Sequence, residues 1–151
     1  MGSIPLVSSI GAIAGSRLAT TASDALLIDV AKLLRQTQIG LVVVCNPDMT
    51  MAGVITKSDV VRQIGHCAGN ACQTAAADVM TQQVTFCRAS DRLADVLLKM
   101  QTQGLVHLPV IDGDGKPVGV VNARDALRLL MKEEQYEESL LRNYVMGIGY
   151  Q

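Results

Sequence analysis

Apolar residues recur at helical spacing early in the chain. Leu27, Val30, Ala31 and Leu34 fall at i, i+3, i+4 and i+7, which predicts an amphipathic helix opening at Asp24. The spacing then breaks into an unbroken apolar run over residues 39–45, IGLVVVC. A short, β-branched run of this kind predicts a buried strand. The polar stretch NPDMTM follows, then a second short apolar run, AGVIT, and a second helix from Ser58 and Asp59 through Ile64. The same order returns further along. A helix opens at Ser90, a strand covers 105–111, and the Gly- and Asp-rich DGDGKP supplies hairpin chemistry. A strand VGVVN and a helix from Arg124 and Asp125 through Leu130 complete it. Short β segments at 18–21 and 84–87 precede each set. Each unit therefore reads β-α-β-β-α, and the fold class is α/β (α+β).

The two units are one unit written twice. Residues 18–64 align on 84–130 at a constant offset of 66 without a gap, with nine of 47 positions identical. The matches include Leu27/Leu93, Asp29/Asp95, Val30/Val96, Val44/Val110, Gly53/Gly119, Asp59/Asp125 and Arg62/Arg128. Internal repetition governs the organisation of a chain. The expected division is an N-terminal segment 1–16, a first repeat 17–67, a linker 68–83, a second repeat 84–131 and a helical tail 132–151.

Composition narrows the function. With 13 basic and 14 acidic residues the net charge is −1, so there is no electrostatic footprint for nucleic acid or an anionic membrane. Trp is absent and aromatics are 3%, which leaves no stacking platform for single strands. No run of 18 apolar residues predicts a membrane span. The opening MGSIPLVSSIGAIAGSRL lacks a basic region and is not read as a signal peptide. A reducing cytoplasm is the expected setting. Of the four cysteines, Cys45 lies in an apolar run and reads as a buried small residue. His66, Cys67 and Cys72 form the one candidate metal or redox group, but CxxxxC with a single His is poor zinc spacing. No nucleophile–base set and no GxxxxGK[ST] occurs, so no catalytic residue is assigned and the chain reads as a non-enzyme.

The repeated phrases GVITKSD (53–59) and GVVNARD (119–125) carry the remaining chemistry. Gly53 and Gly119 are expected to keep the space above a strand open. Asp59 and Asp125 fall in the first turn of a helix, where a carboxylate is a cap or complements the dipole. A hydroxyl or amide three residues before the carboxylate also makes a polar cup suited to a ribose diol, beside a helix N-terminus that favours phosphate.

These phrases, with AADVMT (76–81) and VHLPVID (106–112), resemble the cystathionine β-synthase (CBS) domain, here as a tandem pair over about residues 17–131. The resemblance implies one Bateman-type module with pseudo-twofold symmetry. It implies binding of adenosine-containing ligands (AMP, ADP, ATP, S-adenosylmethionine or NAD) in clefts between the repeats, with AMP the first expectation and no obligatory cofactor. The ligand-binding set it implies is Thr56, Lys57, Ser58, Asp59, His107, Leu108, Pro109, Asn122, Arg124 and Asp125, with Thr20 and Val42. Thr56 and Asp59 match the family motif in full, whereas Asn122 replaces the hydroxyl residue of the second copy. His107 and Arg124 are expected to serve the phosphates of one ligand, which makes the two clefts unequal. The tail carries Tyr136, Leu140, Tyr144 and Val145 at near-helical spacing; it reads as a helix packing back on the domain or, in preference, as a homodimer contact. A regulated protein partner acting in trans is implied. A ligand-free dimerisation module, or a metal or redox protein using His66, Cys67 and Cys72, are the other readings.

Overall fold

A computed structural model describes residues 4–67 and 73–133. A 3-10 turn, Val7–Ile10, leads into α1 (Gly11–Ser16). The first repeat then runs β1 (Thr20–Ala22), α2 (Leu27–Leu34), β2 (Leu41–Cys45), β3 (Met51–Thr56) and α3 (Lys57–Cys67). A short α4 (Ala76–Val79) precedes the second repeat: α5 (Leu93–Gln103), β4 (His107–Ile111), β5 (Pro117–Asn122) and a helix α6 over residues 123–133. The mixed α/β class and the β-α-β-β-α order of the first repeat follow the apolar pattern.

The helices start later than that pattern predicts, at Leu27 and Leu93 rather than Asp24 and Ser90. Tertiary pairing holds the intervening residues extended. Leu26 bridges Ala75, and Arg92 bridges Leu6. Leu26 and Arg92 have ψ of 145° and 129°, outside the helical region. The strands β2 and β4 also begin two residues later than expected. The chain first closes a turn, through Ile39 N–H to the Gln36 carbonyl and Leu105 N–H to the Met100 carbonyl.

In the first repeat β1 pairs parallel with β2, and β2 antiparallel with β3. The second repeat has the antiparallel pair β4–β5, and in place of a strand at 84–87 a single parallel bridge, Cys87 to Val110. Proline explains the shortening. Val43 N–H donates to the Ala19 carbonyl at 2.9 Å; the positions 66 residues on are Pro109 and Thr85. Pro109 has no N–H to donate, so that rung of the ladder is lost.

Each sheet is sandwiched. Leu27, Val30, Leu34, Val42, Val44 and Ile55 form the core of the first repeat, and Leu93, Val96, Met100, Leu108 and Val121 that of the second. Leu41, Val43, Cys45, Val54 and Val120 pack between the two sheets. That is why β2 is buried at every position. A fully buried Val, Leu or Ile contributes about 1.5–3 kcal/mol.

The segments before each repeat are exchanged. Val7 and Ile10 enter the core of the second repeat, while Ala76 of the linker enters that of the first. The glycines of the repeated phrase make this possible, and the space above them is filled rather than open. A Cβ on Gly53 would lie 2.6 Å from the Thr81 carbonyl oxygen and 2.8 Å from Met80 Sδ. One on Gly119 would lie 3.0 Å from the Ala14 carbonyl carbon of α1. Both glycines serve backbone-on-backbone packing of the segment that precedes a repeat.

Candidate ligand cleft

The turn from β3 to α3 builds the first polar cup. Thr56 ends the strand and Asp59 sits in the first helical turn. The Thr56 N–H donates to Asp59 Oδ2 at 2.9 Å and its hydroxyl to the same oxygen at 3.1 Å, while the Asp59 N–H donates back to Thr56 Oγ1 at 3.4 Å. This reciprocal pairing has the logic of a capping box. Arg62 approaches Asp59 Oδ1 at 3.4 Å, from a side chain 68% exposed, so the ion pair contributes little.

A cavity of about 490 Å³ opens beside this cup. Thr56, Lys57, Ser58 and Asp59 line one side, with Val54, Gly40 and Leu41. Gln103, Gly104, Leu105, Val106, His107 and Pro109 of the second repeat line the other. Thr81 and Gln83 of the linker, with Val84 and Thr85 just after it, close the cavity. The left-handed backbone of Gly104 (φ 68°) ends α5 and turns the chain into this wall.

His107 stands against Gly40, whose missing side chain makes room for the ring. Its Nε2 is 3.0 Å from Asn122 Nδ2. Burial, and then the Arg17 and Lys57 cations, lower its pKa below the usual imidazole value, with Asp125 opposing.

The second copy of the phrase is arranged differently. Asn122 Oδ1 accepts from the N–H groups of Arg124 at 2.9 Å and Asp125 at 3.3 Å, so Asn122 caps α6. This frees the Asp125 carboxylate, which is 2% exposed and takes a bidentate contact from Arg17. Arg17 Nη2 donates to Oδ1 at 3.0 Å and Nε to Oδ2, while Nη1 reaches the Gln38 carbonyl at 3.1 Å.

Six of the twelve residues singled out from the sequence therefore line one cavity: Thr56, Lys57, Ser58, Asp59, His107 and Pro109. The other six lie elsewhere. Val42 and Leu108 are fully buried in the repeat cores. Thr20 lines a separate cavity of about 540 Å³ near the far end of β2, with Ser23, Asp24, Asn46 and Met49. Asn122 caps α6, Asp125 is paired with Arg17, and Arg124 is exposed at the start of α6. Arg124 and His107 thus do not share the cavity. Sequence reasoning missed Arg17, Gly40, Gln83 and the α5–β4 junction. The 66-residue offset, extended by one position, pairs Arg17 with Gln83.

Among the described residues, no three His, Cys, Asp or Glu side chains are grouped to hold a metal ion. The side chains of His66 and Cys67, with Cys72 and residues 134–151 including Tyr136, Leu140, Tyr144 and Val145, lie outside the described residues. Cys45 and Cys87 are buried thiols, and burial with the Asp91 charge pushes Cys87 up to about 12; such a thiol is unreactive. No helix among the described residues is long and apolar enough to cross a membrane.

The CBS domain family matches residues 10–66 and 76–132, and the chain belongs to this family. The two matched spans keep the 66-residue offset and take in α1 and α4. The protein MK0525 of Methanopyrus kandleri is 27% identical over 121 residues, covering 80% of this chain, which spans 62% of that protein's length. The CBS domain pair of protein MJ0100, solved with 5′-methylthioadenosine and S-adenosyl-L-methionine, superposes with a TM-score of 0.72 at 24% identity, over 87% of this chain and 99% of that one. CBSX2, solved with AMP, gives a TM-score of 0.71 at 20% identity, over 86% and 98%. The fold is that of a CBS domain pair.

Proposed function

We propose that the protein is a regulatory module that binds an adenosine-containing ligand in the cavity between its repeats. The observation that carries this reading is the meeting of the Thr56–Asp59 cup with the α5–β4 wall of the other repeat around one cavity. Its volume of about 490 Å³ falls in the range of small-molecule sites, roughly 300–1,000 Å³. Asp59 offers the carboxylate for a ribose diol and Thr56 the hydroxyl beside it. The apolar Val54, Leu41 and Val84 supply surface for a flat base. Lys57 and the α3 N-terminus favour a phosphate. The adenosine ligands of MJ0100 and CBSX2 support the ligand class, and AMP is our first choice within it.

The module acts by binding rather than catalysis. It passes its signal to a partner protein and works as a homodimer. The experiment is a melting-temperature panel with AMP, ATP, NAD and S-adenosylmethionine. A ligand at about 100 times its Kd adds about 2.7 kcal/mol to a protein it binds only when folded. At least one member should raise the melting temperature, and a flat panel contradicts the proposal.

A further inference from the structure

We infer that Arg17 is a built-in occupant of the second cleft, so that each chain takes one adenosine ligand and not two. The inference rests on the ligand-binding reading of the first cavity.

The repeat offset maps the two clefts onto each other residue by residue. Arg17 bridges three points: Asp125 through both carboxylate oxygens, and the Gln38 carbonyl. Subtracting 66 from Asp125 gives Asp59; adding 66 to Gln38 and Arg17 gives Gly104 and Gln83. All three counterparts line the open cavity. In the second repeat, then, a cation crosses from the cup carboxylate to the opposite wall. In the first, the same space is bordered by a neutral amide and is empty of side chain. Leu18, which follows Arg17, is held in the packing between the sheets. The α1 helix that precedes Arg17 is fixed by Ala14 against Gly119. The guanidinium is therefore delivered by a packed element, and its 20% side-chain exposure agrees with that.

The chemistry is that of a ligand surrogate. A ribose diol would donate two hydrogen bonds to the Asp125 carboxylate; the Arg17 fork donates two, with a full positive charge. A neutral diol does not compete with that for a carboxylate 2% exposed. In both copies the residue three before the Asp accepts from the Asp N–H, but the Asp59 carboxylate also accepts from the Thr56 N–H and hydroxyl, whereas the Asp125 oxygens are committed to Arg17.

A reciprocal exchange tests this. Titration calorimetry with AMP, on folded protein verified by circular dichroism, is run on wild type, Arg17→Gln and Gln83→Arg. Wild type should bind one AMP per chain. Arg17→Gln, which gives the second cleft the residue of the first, should bind two. Gln83→Arg, which brings a guanidinium to Asp59, should lose at least tenfold in affinity at the one site. Two equal events in wild type, or one unchanged event in all three proteins, overturn the role of Arg17 while leaving the first cleft intact as a site. No AMP bound by any form, with none of the wider panel bound either, overturns the ligand-binding reading and this inference with it. Should Arg17→Gln not fold, the Gln83→Arg affinity alone decides: unchanged binding contradicts the plug.

Discussion

Asn122 donates to His107, and the backbone decides that direction. Asn122 Oδ1 already accepts from the N–H groups of Arg124 and Asp125, so the atom facing His107 Nε2 at 3.0 Å is the amide nitrogen. His107 Nε2 must then accept, which fixes the ring as the neutral tautomer protonated at Nδ1. A charged imidazolium has no lone pair for this bond.

A pH dependence follows. Burial and the Arg17 cation, with Lys57, lower the His107 pKa in the folded protein below the ordinary 6.5, against the pull of Asp125. Below 6.5 the unfolded chain binds the proton more readily than the folded one. The contribution of neutral His107 is thus present above pH 6.5 and lost as pH falls through the lower folded value. His107→Gln should flatten the melting temperature against pH on the acid side of 6.5, relative to wild type. Parallel curves for the two proteins would show that His107 does not titrate in this way.

The glycine of the repeated phrase should not tolerate a methyl group. In Gly53→Ala the new Cβ meets the Thr81 carbonyl oxygen at 2.6 Å, and that oxygen also accepts from Val54 N–H at 3.0 Å. Either the linker moves or β3 does. Overpacking of this kind costs about 1–3 kcal/mol. Because the displaced segment walls the cavity through Thr81, Gln83 and Thr85, AMP affinity should fall with the melting temperature. Thermal unfolding and calorimetry of the variant check both; a melting temperature within 1 °C of wild type, on the order of the measurement error, would mean the linker yields freely.

Losing the Asp59 carboxylate and losing the Arg17 partner of Asp125 should differ in their effect on stability. Asp59→Ala removes the carboxylate half of the Thr56–Asp59 capping box, at about 1 kcal/mol. Arg17→Ala leaves the Asp125 carboxylate buried without its partner, and breaking a buried pair costs about 3–5 kcal/mol; the partial exposure of Arg17 puts the expectation at the lower end. Urea unfolding should therefore rank Arg17→Ala well below Asp59→Ala. Equal midpoints would place both carboxylates in equally solvated settings.

Much of this was legible from sequence because the repeat is exact in length. The 66-residue offset located β2, β3, β4, β5 and both Asp-bearing helices, since buried strands are written as unbroken apolar runs such as LVVVC. The starts of α2 and α5 were not legible, because Leu26 and Arg92 are held extended by partners 49 and 86 residues away in the chain, and no local pattern encodes that. By sequence Pro109 belongs to a binding strand. Its further effect, removal of the β1-like rung in the second repeat, appears only once Thr85 is seen beside it. The greatest difference concerns Asp125. By motif it equals Asp59, but a residue outside the aligned repeats, Arg17, decides its partner.

In our proposal the ligand sits at the Thr56–Asp59 cup against the α5–β4 wall. Amide shift changes on titrating AMP into ¹⁵N-labelled protein test it most directly. The largest changes should fall at Thr56, Lys57, Asp59, Gly104 and His107, with little at Thr20–Asp24 around the other cavity, and Asp59→Ala should abolish them at concentrations that saturate wild type. Changes centred on residues 20–24 and 45–49, or a pattern that Asp59→Ala leaves intact, would contradict the assignment of this cleft.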